Sequence, residues 1–290
     1  MSANVEPFRV QLLDETPTVS LALFDHPHGA HLPTTFSAHE AVAGYQINVV
    51  ESGFFRLRYG RREWTLGART VFIARPTDEY QYSHVWHLEP DTCLRVEFAS
   101  AMADELSEVF DDLPLVLPAT NRLAWLQMQL ERVGADDPEL ALESVTSEMI
   151  EAAESTTGPS AHLYRRGQLK WYGDRIGAAR ELMQANPAAR HSLWRLSSEV
   201  SMSPFQFARV FRELVGVSPH KYLVQLRLHR ARDLLQSGAS VTDACYAVGF
   251  NNLSHFVRSF HRAFGVAPSR MKPSDLADHE TRRRHSAERP

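Results

Sequence analysis

The sequence predicts a two-domain protein: a mainly β N-terminal half with two to three helices, then an all-α C-terminal half containing two helix-turn-helix motifs. Three observations predict it. The first is a charge split hidden inside a net charge of −4. Residues 1–159 hold 10 Lys+Arg against 25 Asp+Glu, a net of −15, whereas residues 160–275 hold 17 against 7, a net of +10. The second is a change in hydrophobic period, from two before Phe98 to about 3.6 after it. The third is an internal repeat. Phe207-Ala-Arg209-Val-Phe211, followed by Gly216-Val217-Ser-Pro219, returns 49 residues later as Phe256-Val-Arg258-Ser-Phe260 and Gly265-Val266-Ala-Pro268.

A chain of 290 residues has room for about two domains. With 43% hydrophobic and 23% charged residues it can bury a core and is not a disordered chain. An acidic half that DNA would repel, joined to a basic half that it would attract, marks a nucleic-acid module fused to something else. Cys93 and Cys245 stand in different halves, so no disulfide framework or cysteine-based zinc site is visible. The opening Met-Ser-Ala-Asn-Val-Glu-Pro lacks a basic region followed by an apolar run, and no apolar stretch nears the ~20 residues of a membrane span. The expectation is a cytoplasmic, nucleoid-associated protein with no membrane partner.

Residues 19–98 read as short strands. Tyr45-Gln-Ile-Asn-Val-Val, Phe55-Arg-Leu-Arg-Tyr and Leu94-Arg-Val-Glu-Phe alternate, and Gly53, Gly60 and Gly67 punctuate them at hairpin spacing. Strand after strand with no helix between them indicates a sandwich or barrel. Helices are predicted over 102–110, over 121–133 with Leu123, Leu126, Leu130 and Val133 on one face, and from Asp137 or Pro138 to Ala153. The latter two either form a dimerisation surface or pack on their own barrel. The turn-rich Glu154-Ser-Thr-Thr-Gly-Pro-Ser160 falls at a linker, placed at 156–165. A helix then runs to Ala185, and the polar 274–290, with Arg282-Arg-Arg-His285, reads as a disordered tail.

In the basic half, Leu193, Leu196 and Val200 fall at helical spacing, Ser203 can cap the next helix and Pro204 suits its first position. Phe207, Val210, Phe211 and Leu214 make that helix's apolar side, and Arg209 and Arg212 point elsewhere. The second copy runs through Val241, Ala244 and Val248, turns at Gly249-Phe250-Asn251-Asn252 and continues through Phe256, Phe260 and Phe264, its turn one residue longer. Pro219 starts a long connecting helix to Gln236, which would hold two recognition helices at fixed separation for adjacent major-groove segments, ~34 Å apart.

Arg227-Leu-His-Arg-Ala231-Arg-Asp-Leu-Leu235, Ala247-Val-Gly249-Phe250, Ser254-His-Phe256-Val-Arg258-Ser-Phe260 and Phe264-Gly265-Val-Ala-Pro268 together resemble the AraC/XylS family of bacterial transcription regulators. The resemblance spans about residues 170–273. It implies about seven helices in an AraC-type DNA-binding domain over 166–273. It also implies base-facing positions at Phe205, Ala208 and Arg209 in the first recognition helix and at Leu253, Ser254, Val257 and Arg258 in the second, with His255 beside them. Ser203, Gln206, Arg212 and Asn252 complete the candidate DNA contacts. Arg209 and Arg258 carry most weight, because an arginine can grip guanine O6 and N7 bidentately; the competing role is an ion pair inside the fold. Double-stranded DNA, RNA polymerase, a small-molecule effector and a second copy are the implied partners.

Leu66-Gly67-Ala-Arg-Thr-Val71-Phe-Ile73-Ala-Arg-Pro76 resembles the cupin-like sensor domains that precede this module, which places a ligand-sensing, dimerising barrel at 1–155. His26 and His28 sit in a predicted turn and no glutamate follows at the needed spacing, so neither metal nor other cofactor is expected. Tyr80, Tyr82, His84 and Trp86 share one strand face, which serves either a flat organic ligand or the core. Arg56 and Arg58 share a face that could meet a carboxylate. No nucleophile elbow, phosphate loop, HExxH or paired-carboxylate pattern occurs, which lowers the enzyme reading. The alternative is a cupin-type enzyme or small-molecule binder with a nucleic-acid tether.

Overall fold

Alternating apolar residues in the first half build nine short antiparallel strands in a computed structural model, which describes residues 9–26, 36, 40–84, 91–133 and 142–271. The chain divides into two units, 1–170 and 171–290. In the first, the strands are β1 (Arg9–Glu15), β2 (Val19–His26), β3 (Glu40–Ala41), β4 (Gln46–Ser52), β5 (Phe54–Tyr59), β6 (Arg62–Gly67), β7 (Val71–Ala74), β8 (Glu79–His84) and β9 (Asp91–Phe98). They form a five-stranded sheet, β1-β2-β9-β4-β7, and a four-stranded sheet, β3-β8-β5-β6. The β5–β6 hairpin closes on Tyr59 opposite Arg62, and Gly60 takes φ 57° at the first of its two central residues, the conformation that favours glycine there. Gly67, expected as a third turn glycine, instead ends β6. The left-handed residue of the next turn is Arg69, at φ 73°.

The two sheets share a core. Val50, Phe72 and Ala74 of the larger sheet pack with Leu57, Leu66 and Tyr80 of the smaller one. The opposite face of the larger sheet is apolar as well: Leu21, Ile47, Val49, Ile73, Leu94 and Val96 are all buried. Three helices, α1 (Ala103–Phe110), α2 (Asn121–Leu130) and α3 (Leu142–Ser155), follow the strands. Phe110 stands edge-on to Tyr45 and Phe98, and Thr18 donates to Glu143 of α3 at 2.6 Å. Helix α1 is shorter than predicted because Ser100–Met102 winds as a 3₁₀ turn, and α2 stops at Leu130. The predicted start of α3 lies outside the described residues. Leu123, Leu126 and Leu130 of α2 and Val145 and Met149 of α3 are buried within this unit, so of the two roles weighed for these helices it is packing on their own strands that uses their apolar faces.

Residues 156–165, expected as the linker, are tied to the first unit. The buried Asn121 uses both ends of its carboxamide: Nδ2 donates to the His162 carbonyl (2.7 Å) and Oδ1 accepts from the Tyr164 N–H (2.8 Å). Arg69 donates to the Tyr164 carbonyl at 2.9 Å, and Arg166 pairs with Glu131 at 2.6 Å.

Helix α4 (Arg166–Ala185) leads into the second unit, followed by α5 (Leu193–Glu199), α6 (Pro204–Val215), α7 (Pro219–Gln236), α8 (Val241–Ala247), α9 (Leu253–Phe264) and a 3₁₀ turn at Pro268–Arg270. These elements match the expected count of about seven. Along α7, Leu228, Ala231 and Leu235 join Ala244, Cys245, Val248, Phe250, Phe256 and Phe260 in one core. Phe207, Val210, Phe211 and Leu214 are fully buried in the other half of the unit. The tail at 274–290 lies outside the described residues.

Candidate functional site

The repeat in the sequence is a repeat in geometry. Helix α5 ends in a left-handed Ser201 (φ 54°), whose N–H donates to the Ser198 carbonyl while the Met202 N–H reaches the Ser197 carbonyl. Helix α8 ends in a left-handed Gly249 (φ 88°), with Gly249 N–H on Tyr246 and Phe250 N–H on Cys245 in the same pattern. Both are Schellman-type stops, which satisfy the last carbonyls of a helix. Ser197 and Cys245, small and buried, hold equivalent places. From the left-handed residue to the next N-cap is two residues in the first motif and three in the second, which is the extra residue visible in the sequence. Both second helices then close on a left-handed glycine, Gly216 (φ 85°) and Gly265 (φ 71°).

The second turn is closely packed. An added Cβ at Gly249 would stand 2.7 Å from the Ala188 carbonyl oxygen and 3.1 Å from Arg227 Nη2. Arg227, on α7, donates Nε to the Pro187 carbonyl (2.8 Å) and Nη2 to the Ala189 carbonyl (3.0 Å), and its partial burial lowers the guanidinium pKa. A long-helix arginine thus pins the loop after α4 beside the second turn.

The candidate DNA contacts separate into three groups. Ser203 and Asn252 are occupied as caps: Ser203 Oγ accepts from the Gln206 N–H (3.3 Å) and Asn252 Oδ1 from the His255 N–H (2.8 Å). Gln206 turns towards α4, its Nε2 donating to the Tyr172 hydroxyl at 3.0 Å. The outward set is Phe205, Arg209 and Arg212 on α6 and Leu253, Ser254, His255 and Arg258 on α9; Ala208 and Val257 are half-buried between them. Phe205 is 81% exposed, far more than a lone core-forming phenylalanine would be. Among the described residues neither Arg209 nor Arg258 meets a carboxylate; Arg258 donates Nε only to its own helix, at the Ser254 carbonyl (3.3 Å). The competing role of these arginines, an internal ion pair, is therefore not what the geometry provides. Two cationic forks stand exposed at corresponding positions of two amphipathic helices, suited to major-groove base edges.

The aromatic stripe of the first unit falls only partly within the described residues. Tyr80 is buried, with its ring 6.5 Å from Phe72, and Tyr82 packs against the same core. Trp86 and the side chain of His84 lie outside the described residues, as do His28 and the side chain of His26. Strand register places Leu57 opposite Tyr82 and Tyr59 opposite Tyr80, while Arg56 faces Ser83. Arg56 and Arg58 therefore project from the other side of the sheet. There they pair with Glu63 and stack on Phe36, Arg58 at 3.6 Å from the ring centroid. They do not join Tyr80 and Tyr82 in one site.

A polar group that the sequence analysis did not single out lies inside. Gln46 and Asn48 of β4 are 5% and 0% exposed, and Arg95 Nε donates to Asn48 Oδ1 at 3.0 Å. Strand β4 is buried on both faces from Gln46 to Val50.

Residues 196–273 match a family model described as a helix-turn-helix domain. Over 241 residues the chain is 27% identical to the HTH-type transcriptional activator RhaS of Enterobacter sp. (strain 638), covering 79% of this chain and 84% of that protein. It is 40% identical over 74 residues to RhaS of Shigella boydii serotype 18, covering 25% of this chain and 27% of the relative. Among solved structures, a transcriptional regulator with an AraC-type DNA-binding domain from Chromobacterium violaceum is 33% identical. That match covers 33% of this chain and 87% of that one, with a TM-score of 0.32.

Proposed function

We propose, for a chain that belongs to the AraC/XylS family of DNA-binding transcription regulators, that it activates transcription from specific promoter sites under control of a small-molecule effector. One observation carries the reading. Two helix-turn-helix motifs with matching stops each present an exposed arginine, Arg209 and Arg258, on an otherwise amphipathic helix. The charge split supports it, since the basic half attracts phosphate and the acidic half stays clear of it.

In this reading 166–273 binds double-stranded DNA, 156–165 is the connector, and 1–155 holds the effector and pairs with a second copy in the cytoplasm. Activation follows the RhaS relatives, which are named transcriptional activators, and contact with RNA polymerase is the route this reading assigns to it. No catalytic step is assigned to any residue. The effector works by population shift: it must bind one arrangement of the protein better than another, or it changes nothing.

The test is selection of genomic fragments by the full-length protein at two salt concentrations. A few enriched sites retained at the higher salt are expected; uniform fading with salt and no enriched sequence would mean a charge-driven DNA coat. Within a selected site, Arg209→Ala and Arg258→Ala should each relax one base position, with a loss of about 1–3 kcal/mol. Equal losses on every sequence would assign both arginines to phosphate.

A further inference from the structure

The first unit contains a polar constellation of two buried amides, Gln46 and Asn48, and the half-buried Arg95. Directly opposed residues of antiparallel strands share a face. Asn48 stands opposite Arg95 and Phe72, Gln46 opposite Ala74 and Glu97, and Arg95 opposite Ala22, so a carboxylate on this face, Glu97, lies at the Gln46 end, beyond Arg95. Phe72 and Ala74 belong to the core between the two sheets, so Gln46, Asn48 and Arg95 face that same interior.

The hydrogen-bond inventory there is incomplete. Asn48 Oδ1 accepts from Arg95 Nε, and since arginine can only donate, the amide orientation is fixed and Nδ2 is a donor. That Nδ2 is buried without an acceptor among the described residues, and Gln46 Oε1 is buried without a donor. Orphaned amides of this kind are rare in folded proteins and call for an occupant. Arg95 lies 3.9 Å over the Phe24 ring, which holds the guanidinium flat, and among the described residues its two terminal nitrogens meet no acceptor. Cys93, next on this face of β9, opposite Phe24 and half-buried, has its thiol pushed up to about 12 by desolvation.

We infer that Arg95 and Asn48 together anchor the carboxylate of a small organic effector between the two sheets, with Phe24 and Cys93 flanking its hydrocarbon part. One fixed cation, whose Nε is engaged by Asn48, and one fixed neutral donor, Asn48 Nδ2, match two carboxylate oxygens; Gln46 completes the site by accepting from a hydroxyl or amine further along the ligand. The inference rests on the reading that the β-rich unit holds an effector.

The test uses the full-length protein and follows its thermal midpoint at matched ionic strength. The probes are benzoate and hexanoate, their uncharged counterparts benzamide and hexanol, and xylitol as a neutral polyol. Carboxylates are expected to bind the wild type at least about tenfold more tightly than the uncharged counterparts. Asn48→Asp keeps the acceptor for Arg95 Nε but turns the neutral donor into a negative oxygen, and should abolish that preference. Arg95→Gln should abolish it too, and Arg95→Lys should restore part of it, which separates loss of charge from loss of folding.

Equal response to benzoate and benzamide, or a preference that survives both Asn48→Asp and Arg95→Gln, overturns the anchor. Stabilisation by xylitol that Asn48→Asp removes would overturn the carboxylate class while keeping an effector in this unit. No response to any probe, alongside intact selection of specific DNA, removes the anchor and leaves the regulator reading standing.

Discussion

Replacing Gly249 with alanine measures how tightly the second DNA-reading motif is locked to the long helix. Two costs add. The left-handed backbone (φ 88°) disfavours any residue with a Cβ by about 1 kcal/mol. The new methyl would also stand 2.7 Å from the Ala188 carbonyl and 3.0 Å from Ala188 Cα. Both are backbone atoms, so the loop must move and the two Arg227 hydrogen bonds that hold it must stretch, at about 1–3 kcal/mol more. Gly265 is the control, because it is equally left-handed (φ 71°) with nothing within 4 Å of an added Cβ. For a unit of this size each kcal/mol lowers the melting temperature by about 4–8 °C. Calorimetry on the full-length protein should show the second unit losing about 10–20 °C in Gly249→Ala and about 5 °C in Gly265→Ala. Equal losses in the two variants would refute the argument from close approach.

Three further outcomes are expected. Phe205, exposed and without hydrogen-bonding capacity, has the thymine methyl as its main apolar target; replacing one thymine of the selected site with uracil should weaken the wild type and leave Phe205→Ala unaffected in a gel-shift titration. Asn121→Ala strands the Tyr164 N–H and the His162 carbonyl, so it should cost about 2 kcal/mol and expose 156–165 to protease, read by mass spectrometry of early fragments. The Cys93 thiol, raised from 9.0 to about 12, should resist iodoacetamide at pH 8 until the protein is unfolded; its contribution to stability is complete below pH 9 and falls as pH climbs towards 12, which urea titrations across that range would show.

The second unit was legible because its signals are local. Helix α7 begins and ends at the residues its Pro219 and Gln236 suggested, and the one-residue difference between turns survives as a difference in cap placement. Ser201 was not legible, since nothing in its side chain announces a left-handed conformation. The first unit was legible as strands but not as faces. Alternation tells which residues of β5 go together, yet only pairing with β8 decides that Leu57, and not Arg56, joins Tyr82. The burial of Gln46 and Asn48 was not legible for a related reason: polar residues at alternate strand positions normally mark solvent, and a strand buried on both faces breaks that rule. The turn-rich connector hid its fixation, because the residue that holds it, Asn121, is some forty positions away.

Both motifs are mounted on one uninterrupted helix of 18 residues, about 27 Å long. A helix has no elastic mode comparable to a chain of glycines and serines, so the distance and the angular phase between the two readers are set by residue count. One inserted residue would advance the second reader by about 1.5 Å and rotate it by about 100°. On the proposed function, the matching DNA therefore behaves as one unbroken word. Its two parts cannot drift apart by a base pair and still be read, in contrast to half-sites bound by modules on a flexible tether, where spacing is forgiven.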